Sequence, residues 1–345
     1  MQNIIDKSLE ELQSSFAEQG LPAFRAKQLY SWLHRKLTFS FDDMTDLGKE
    51  LREQLKEKYY IKTLSFKHSA TSADGTKKYL FELLDGHLIE TVLLTDETDR
   101  KTICVSTQAG CALGCAFCAT GEAGLRRNLE TSEILGQVYL IAEEAQDISN
   151  IVFMGMGEPF LNYANLLKAI RILASKEGPN FGQRKITVST CGIADKIKAF
   201  AREDLQVRLA VSLNSADDAV RSKIMPINRK YPLAVLHNAV QYYLKNTGRR
   251  VTFEYVMLEG VNDRRSDLEN LKRFCRGLNV NVNLIPFNNF GTKFKPAPAT
   301  TLDFFKKALL SEDINTIVRR SRGDEIRAAC GQLAGLPADR HGKGK

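Results

Sequence analysis

Cys111-Ala-Leu-Gly-Cys115-Ala-Phe-Cys118 places three thiols within eight residues, spaced C-x-x-x-C-x-x-C. Three thiolates can hold three irons of a cubic iron–sulfur cluster and leave the fourth without a protein ligand. An open iron can bind a substrate or cofactor directly, as the open position of a catalytic zinc does. Gly110 and Gly114 allow the backbone to wrap closely around a bulky inorganic core. Phe117 is placed to shield it from water, and burial is one lever on cluster potential. A zinc knuckle is the competing reading. It needs a fourth ligand, which Cys104 could supply, but there is no second paired motif and no nearby His.

The rest of the composition narrows the setting. The chain has 345 residues, 43% of them hydrophobic, enough for one large domain and a smaller one. Seven cysteines without paired spacings argue against a disulfide scaffold. No apolar run is long enough to span a membrane. Met1-Gln-Asn-Ile-Ile-Asp lacks the basic start and apolar core of a signal peptide. A cytoplasmic protein that engages no membrane is the expectation. The net charge of +8 suits a polyanionic partner such as nucleic acid, a feature shared by many basic proteins that bind none.

Working outward from the cysteines, the pattern divides the chain into four stretches. Residues 1–60 are helical: Leu9, Leu12 and Phe16, then Phe24, Leu29, Trp32 and Leu33, recur at helical spacing. Pro22 sits near the start of the second helix. Thr45 or Asp46 is placed to cap a third helix carrying Leu51 and Leu55. Arg25, Lys27, Arg35, Lys36, Lys49 and Arg52 suit an accessory domain that docks RNA, or simply a solvated basic face. Residues 61–96 change to period two, with hairpin signals at Asp74-Gly75 and Asp85-Gly86. They read as a short antiparallel β extension. Glu90 lies inside its last apolar run, and the bare sequence favours a solvated strand-face carboxylate there.

Residues 97–335 alternate strand and helix, which argues for an α/β fold with a parallel sheet. Expected strands are 102–107, 151–154, 185–189, 207–213, 251–257 and 280–286, with helices near 132–145, 162–175, 232–246 and 264–276. A last strand is expected near 314–318. Residues 336–345 form a basic tail. In barrels of this kind sites gather at the C-terminal strand ends. Gly157-Glu158-Pro159 lies at such an end, as do Ser189, Ser212-Leu213-Asn214 and Asn288. Glu158 can accept hydrogen bonds from an ammonium group, and the small polar residues suit ribose hydroxyls, a carboxylate or adenine nitrogens. Any one of them alone would pass for a turn cap.

Cys104, the three clustered cysteines, Met154-Gly-Met-Gly-Glu-Pro159 and Ala328-Ala-Cys330-Gly-Gln-Leu333 together closely resemble the RlmN/Cfr family of radical S-adenosylmethionine (SAM) RNA methyltransferases, over about residues 20–335. The resemblance implies a partial (β/α)6 barrel behind a small N-terminal helical domain. It implies a [4Fe–4S] cluster on Cys111, Cys115 and Cys118, with SAM chelating the open iron. Gly157, Glu158, Ser189, Ser212, Leu213, Asn214 and Asn288 would then contact SAM. Two SAM molecules are used per turnover. Cys330 takes a methyl group from one, since the thiolate is the nucleophilic form. The other yields a deoxyadenosyl radical that removes a hydrogen from this S-methyl group, and the carbon radical adds to adenine. Glu90 resembles the general base, and Cys104 resolves the protein–RNA adduct as a disulfide with Cys330.

Within the family, Met156-Gly-Glu-Pro-Phe-Leu-Asn-Tyr163 favours the branch acting on C2 of an adenosine in 23S rRNA, and in some bacteria in tRNA, over the Cfr branch acting on C8. An electron donor such as flavodoxin and a monomeric state are further implications. Arg126, Arg127, Arg319, Arg320, Arg322 and the tail are candidate phosphate contacts, or parts of a solvated face. Cys191 and Cys275 read as small buried apolar residues. The rival readings are a radical-SAM enzyme acting on a protein or small molecule, and a zinc-bearing RNA-binding protein without catalysis.

Overall fold

A computed structural model describes residues 1–335; the expected basic tail with Arg340, Lys343 and Lys345 lies outside the described residues. Its centre is one ten-stranded sheet. Seven neighbouring strands are parallel: Lys101–Cys104, Ile148–Phe153, Ile186–Thr190, Arg208–Ser212, Val251–Met257, Val280–Pro286 and Asn315–Val318. The last of these is the strand expected near 314–318, and it lengthens the anticipated six-unit barrel by one strand. A parallel sheet is covered by its crossover helices, so the residues its strands bury are mostly apolar, as Val251, Phe253, Tyr255 and Met257 are in Val251–Met257, where Glu254 is a buried exception. The cover comes from the helices Thr131–Glu144, Tyr163–Ala174, Ala194–Phe200, Leu233–Thr247, Arg265–Cys275 and Ala299–Leu310. Each crossover starts the next strand at the same end of the sheet, which gathers the C-terminal strand ends on one side.

The other edge is antiparallel. Ser65–Thr71, Lys77–Glu82 and Leu88–Thr95 form a meander through the two Asp-Gly turns, and Leu88–Thr95 pairs directly with Lys101–Cys104. The sheet therefore runs unbroken from the extension into the parallel strands. This pairing sets Val92 opposite Cys104, with Glu90 two residues before Val92 on the same strand.

The N-terminal helices are Leu9–Glu18, Ala23–His34 and Lys49–Lys58. The first begins with a capping box between Ser8 and Glu11. The third is capped by Gly48, with no side-chain bond, and not by Thr45 or Asp46. The Asp46 carboxylate is engaged elsewhere, accepting from the Trp32 indole N–H. Phe24, which shares the helical spacing of Leu29 and Leu33, is 52% exposed. Ile4, Leu12, Phe16 and Leu29 join the same continuous core as the sheet residues. His34 Nδ1 meets Tyr139 Oη at 2.8 Å, and Asp6 accepts the Ser132 amide at 2.6 Å, so the helices are seated on Thr131–Glu144. Several cations of the basic face are bound internally. Arg25 reaches Gln28 and the Asp46 carbonyl, Arg52 reaches the Asp42 carbonyl, and Lys36 lies over the Trp32 ring.

Candidate active site

The cysteine loop leaves the strand Lys101–Cys104 and folds into a small knot before Thr131–Glu144. Gly110 has φ +79°, and a Cβ there would meet the Gly124 carbonyl at 1.8 Å, so no other residue fits. The Cys111 amide donates to that carbonyl, Cys118 to the Cys115 carbonyl and Ala116 to the Ile224 carbonyl. All three thiols line one cavity of about 960 Å³. Its other walls include Gly157, Glu158, Ser189, Ser212, Asn214 and Glu254. An all-sulfur donor set suits iron–sulfur or zinc chemistry and not magnesium or calcium. Among the described residues no three His, Cys, Asp or Glu converge on a point that would hold one metal ion. Three thiols spread around a cavity fit the corners of a cubic cluster. Burial pushes the Cys111 thiol up to about 12 and raises that of Cys118, so these ligands yield their protons only to a strong Lewis acid.

Glu158 is the most firmly oriented group in this cavity. Its Oε1 accepts from Thr190 Oγ1 at 2.7 Å and from the Phe160 amide at 3.1 Å, and its Oε2 accepts from the Cys191 amide at 2.7 Å. Burial raises its pKa, and these donors oppose the rise. Gly157 (φ +99°) lets the turn lie against Gln108, whose Cβ would stand 2.5 Å from an added methyl. Ser189 Oγ donates to Glu254 at 2.9 Å, and Glu254 pairs with Arg319 at 3.3 Å.

Asn214, at φ +55°, uses its side chain on the Val256 amide (2.8 Å) and the Met225 sulfur (3.2 Å). Leu213 is fully buried and does not line the cavity. Its amide meets the Glu254 carbonyl at 2.9 Å, and its carbonyl meets Arg221 Nε at 2.9 Å. Both residues shape the wall rather than offer free groups.

A second cavity of about 820 Å³ adjoins the first. It is lined by Cys104, Asn288 and Arg319 among others, so Asn288 stands apart from the other residues expected around SAM. Cys330 lines both cavities. It rides on the segment 328–335, which folds back across the strand ends. The Ala119 amide holds the Gly331 carbonyl at 2.7 Å, Thr120 Oγ1 holds the Leu333 carbonyl at 2.6 Å, and Asn288 Nδ2 reaches the Cys330 carbonyl at 3.3 Å. Cys330 is exposed, whereas Cys104 is buried. Burial pushes the Cys104 thiol up to about 12; nearby Cys330 adds to the rise and Arg319 opposes it.

Glu90 overturns the solvated reading, with only 1% of its surface exposed. It pairs with Lys78 at 2.8 Å and accepts the amides of Ala334 (2.7 Å) and Gly335 (3.0 Å). The C-terminal segment covers it, and it lines neither cavity. Cys275 is a core residue as expected, but Cys191 is not. Cys191 lines the first cavity with its thiol against that of Cys115.

The expected phosphate contacts change too. Arg127 is held by Glu133 and Asp85, Arg319 by Glu254, Arg320 by Glu97, and Arg322 by the Thr95 carbonyl. Arg126 is exposed with no ion pair among the described residues. Glu254, Lys78 and Arg221 gave no signal in the sequence. Arg221 is fully buried and ties together the carbonyls of Cys191, Ser212 and Leu213.

Comparison with known proteins agrees with this geometry. Residues 105–275 match the Radical SAM superfamily, and residues 2–61 match the ribosomal RNA large subunit methyltransferase N-terminal domain. The chain is 49% identical to a dual-specificity RNA methyltransferase RlmN of Anaeromyxobacter dehalogenans, over 96% of this chain and 91% of that one. It is 45% identical to a probable dual-specificity RNA methyltransferase RlmN of Dictyoglomus turgidum, over 97% of each. A crystal structure of a radical SAM methyltransferase from Sphaerobacter thermophilus superimposes with a TM-score of 0.92 at 45% identity. That alignment covers 97% of this chain and 100% of the other.

Proposed function

The chain belongs to the RlmN family of radical-SAM RNA methyltransferases, and from that premise we propose that it methylates C2 of an adenosine in 23S rRNA and in tRNA through a methyl group carried on Cys330. The observation that carries this reading is the position of Cys330 at the junction of the two cavities. On one side stand the three thiols and Glu158, on the other Cys104. A thiol so placed can take a group from a cofactor and present it to a base.

A [4Fe–4S] cluster and SAM, when bound, supply the methyl group and the one-electron chemistry that an adenine C2–H requires, because that hydrogen is too weakly acidic for ordinary base-assisted transfer. The chain's own residues do the rest. Cys111, Cys115 and Cys118 hold the cluster. Glu158 receives the ammonium group of SAM in a charge-assisted hydrogen bond, its oxygens already aimed by Thr190, Phe160 and Cys191. Ser189 and Ser212 face the same space and suit its hydroxyls and carboxylate.

Cys330, as thiolate, forms the S–CH3 bond and leaves S-adenosylhomocysteine. Once the carried carbon is bonded to C2, the RNA is tethered to the protein through Cys330. Glu90 accepts the C2 proton, which requires the segment 334–335 to release its carboxylate. Cys104 then attacks the Cys330 sulfur. A disulfide forms, the carbon–sulfur bond breaks with its electron pair on the departing carbon, that carbon takes up a proton to complete the methyl group, and methylated RNA leaves.

The target base must be unpaired or flipped to present its C2 to the thiol at the junction of the two cavities. We assign RNA docking to residues 1–60, sheet extension to 61–96 and chemistry to 97–335. A monomer in the cytoplasm, served by an electron donor such as flavodoxin, completes the reading. Among the described residues no helix is long and apolar enough to cross a membrane.

The test uses anaerobically reconstituted enzyme, methyl-labelled SAM and a reductant, with 23S rRNA and bulk tRNA offered separately. Labelled 2-methyladenosine in both nucleoside digests is the expected result. Labelled 8-methyladenosine would overturn the assignment to C2.

A further inference from the structure

The cluster loop has an outer face as well as an inner one. Cys115, Cys118 and Gly121 line the inner cavity and also an open groove of about 1390 Å³ behind it. The loop is all that separates the two. The groove shares only Cys118 with the cavity of Cys104.

Its floor is apolar and ordered. Phe290, Phe294 and Val261 are half-buried against a small separate core of Cys115, Ile224, Met225, Leu258 and Phe287. Phe287 packs edge-on to both Phe290 and Phe294, with centroids 6.4 and 6.3 Å away. The Ala116 amide donates to the Ile224 carbonyl at 2.9 Å, which fixes the cysteine loop to this floor. Lys223 and Lys293 stand exposed on the rim with no ion pair among the described residues, and Glu122 is the one acidic residue lining the groove.

We propose that this groove is the docking face for a small acidic electron-transfer protein that reduces the cluster. The proposal rests on the function proposed above. Electron tunnelling falls exponentially with distance, so a donor is best placed beside the cluster ligands themselves, and Cys115 and Cys118 line this groove directly. An aromatic floor with a lysine rim matches the small, transient interfaces of redox partners, whose centres are apolar and whose rims are charged. RNA has no comparable reason to sit here, because its base must reach Cys330 and Cys104 through the other cavity. In the step itself one electron leaves the donor's reduced flavin, which is thereby oxidised by one electron. The cluster falls from the 2+ to the 1+ state.

The test mixes cluster-loaded enzyme with reduced flavodoxin, an acidic low-potential donor, under anaerobic conditions and follows bleaching of the cluster. Affinity for oxidised flavodoxin is measured in parallel. For the double variant K223E/K293E the second-order reduction rate and the affinity at low salt fall about tenfold, and their salt dependence flattens, because rim charges act mainly on encounter. Iron content and reduction by sodium dithionite stay at the wild-type level. Glu122→Lys shifts the flavodoxin rate in the opposite direction.

Wild-type reduction by flavodoxin in the double variant would overturn the docking face. The same rate with weakened RNA binding would give the groove to RNA and overturn it equally. A wild-type cluster that dithionite cannot reduce would instead sink the proposed function, and the docking face with it.

Discussion

The first cavity is walled by the ends of neighbouring parallel strands, and its polar groups are already held: Glu158 by three donors, Asn214 by two partners, Ser189 by Glu254. The second is closed by a segment from the far end of the chain, fastened through a few long-range bonds from Ala119, Thr120 and Asn288. A small cofactor needs fixed partners, and preorganised ones cost no reorganisation when it arrives. A folded RNA must get in and out, which a rigid wall would forbid. On the proposed function, the difference suits the first cavity to holding a cofactor and the second to admitting a larger substrate.

The sharpest way to break this comparison is to remove one cysteine from each side. Cys115→Ala abolishes bound iron, the brown colour and all methyl transfer. Cys330→Ala abolishes methyl transfer as completely but keeps iron and SAM binding. Iron and sulfide content measured beside label transfer separates the two, and loss of iron in Cys330→Ala would merge the cavities into one functional unit.

Next in size is Cys104→Ala, which leaves the adduct unresolved. A covalent protein–RNA band accumulates on a denaturing gel. Its absence with full turnover would remove Cys104 from the proposed sequence.

Smaller again is Glu158→Gln. A hydrogen bond to a charged group contributes about 1.5–3 kcal/mol, so SAM affinity falls about 10- to 100-fold. Asn288→Ala, on the second cavity, leaves SAM affinity at the wild-type level in the same equilibrium dialysis. A matching loss there would return Asn288 to the cofactor wall.

The least effect belongs to the seam between the N-terminal helices and the core. His34 is fully buried, and burial pushes its pKa down to about 3. The unfolded chain therefore binds a proton that the folded one refuses. The resulting stability is present above the ordinary His value and is lost as pH falls below it. Between about pH 7.5 and 5.5 the wild type should lose about 1.4 kcal/mol more than His34→Gln, read from urea midpoints. Parallel curves would mean that His34 takes up its proton without unfolding.

The same contrast explains what could be read in advance. The cysteine loop, the Glu158 turn and the two Asp-Gly hairpins depend on neighbours a few residues away, and local spacing encodes them. Glu90 could not be read correctly, because its cover comes from Ala334 and Gly335. Cys191 looked like core packing because nothing near it in sequence shows that its strand ends beside Cys115. Arg221 and Glu254 are fixed by partners on other strands and loops. Thr45 and Asp46 suit a helix start, but the indole of Trp32 takes Asp46 and the helix begins at Gly48. The ion pairs of the basic residues were hidden in the same way, since Arg127, Arg319 and Arg320 meet acidic partners that no run of positive charge reveals.

The grip of Glu90 on Ala334 and Gly335 has a mechanical consequence. The segment that carries Cys330 also covers this carboxylate. If it lifts as a unit, the two hydrogen bonds from the Ala334 and Gly335 amides break and the Lys78–Glu90 pair opens to solvent. Travel of the carried carbon and unmasking of the proton acceptor are then one event, an interlock in the engineer's sense. The order of the steps would then follow from the path of one segment rather than from a difference in rates.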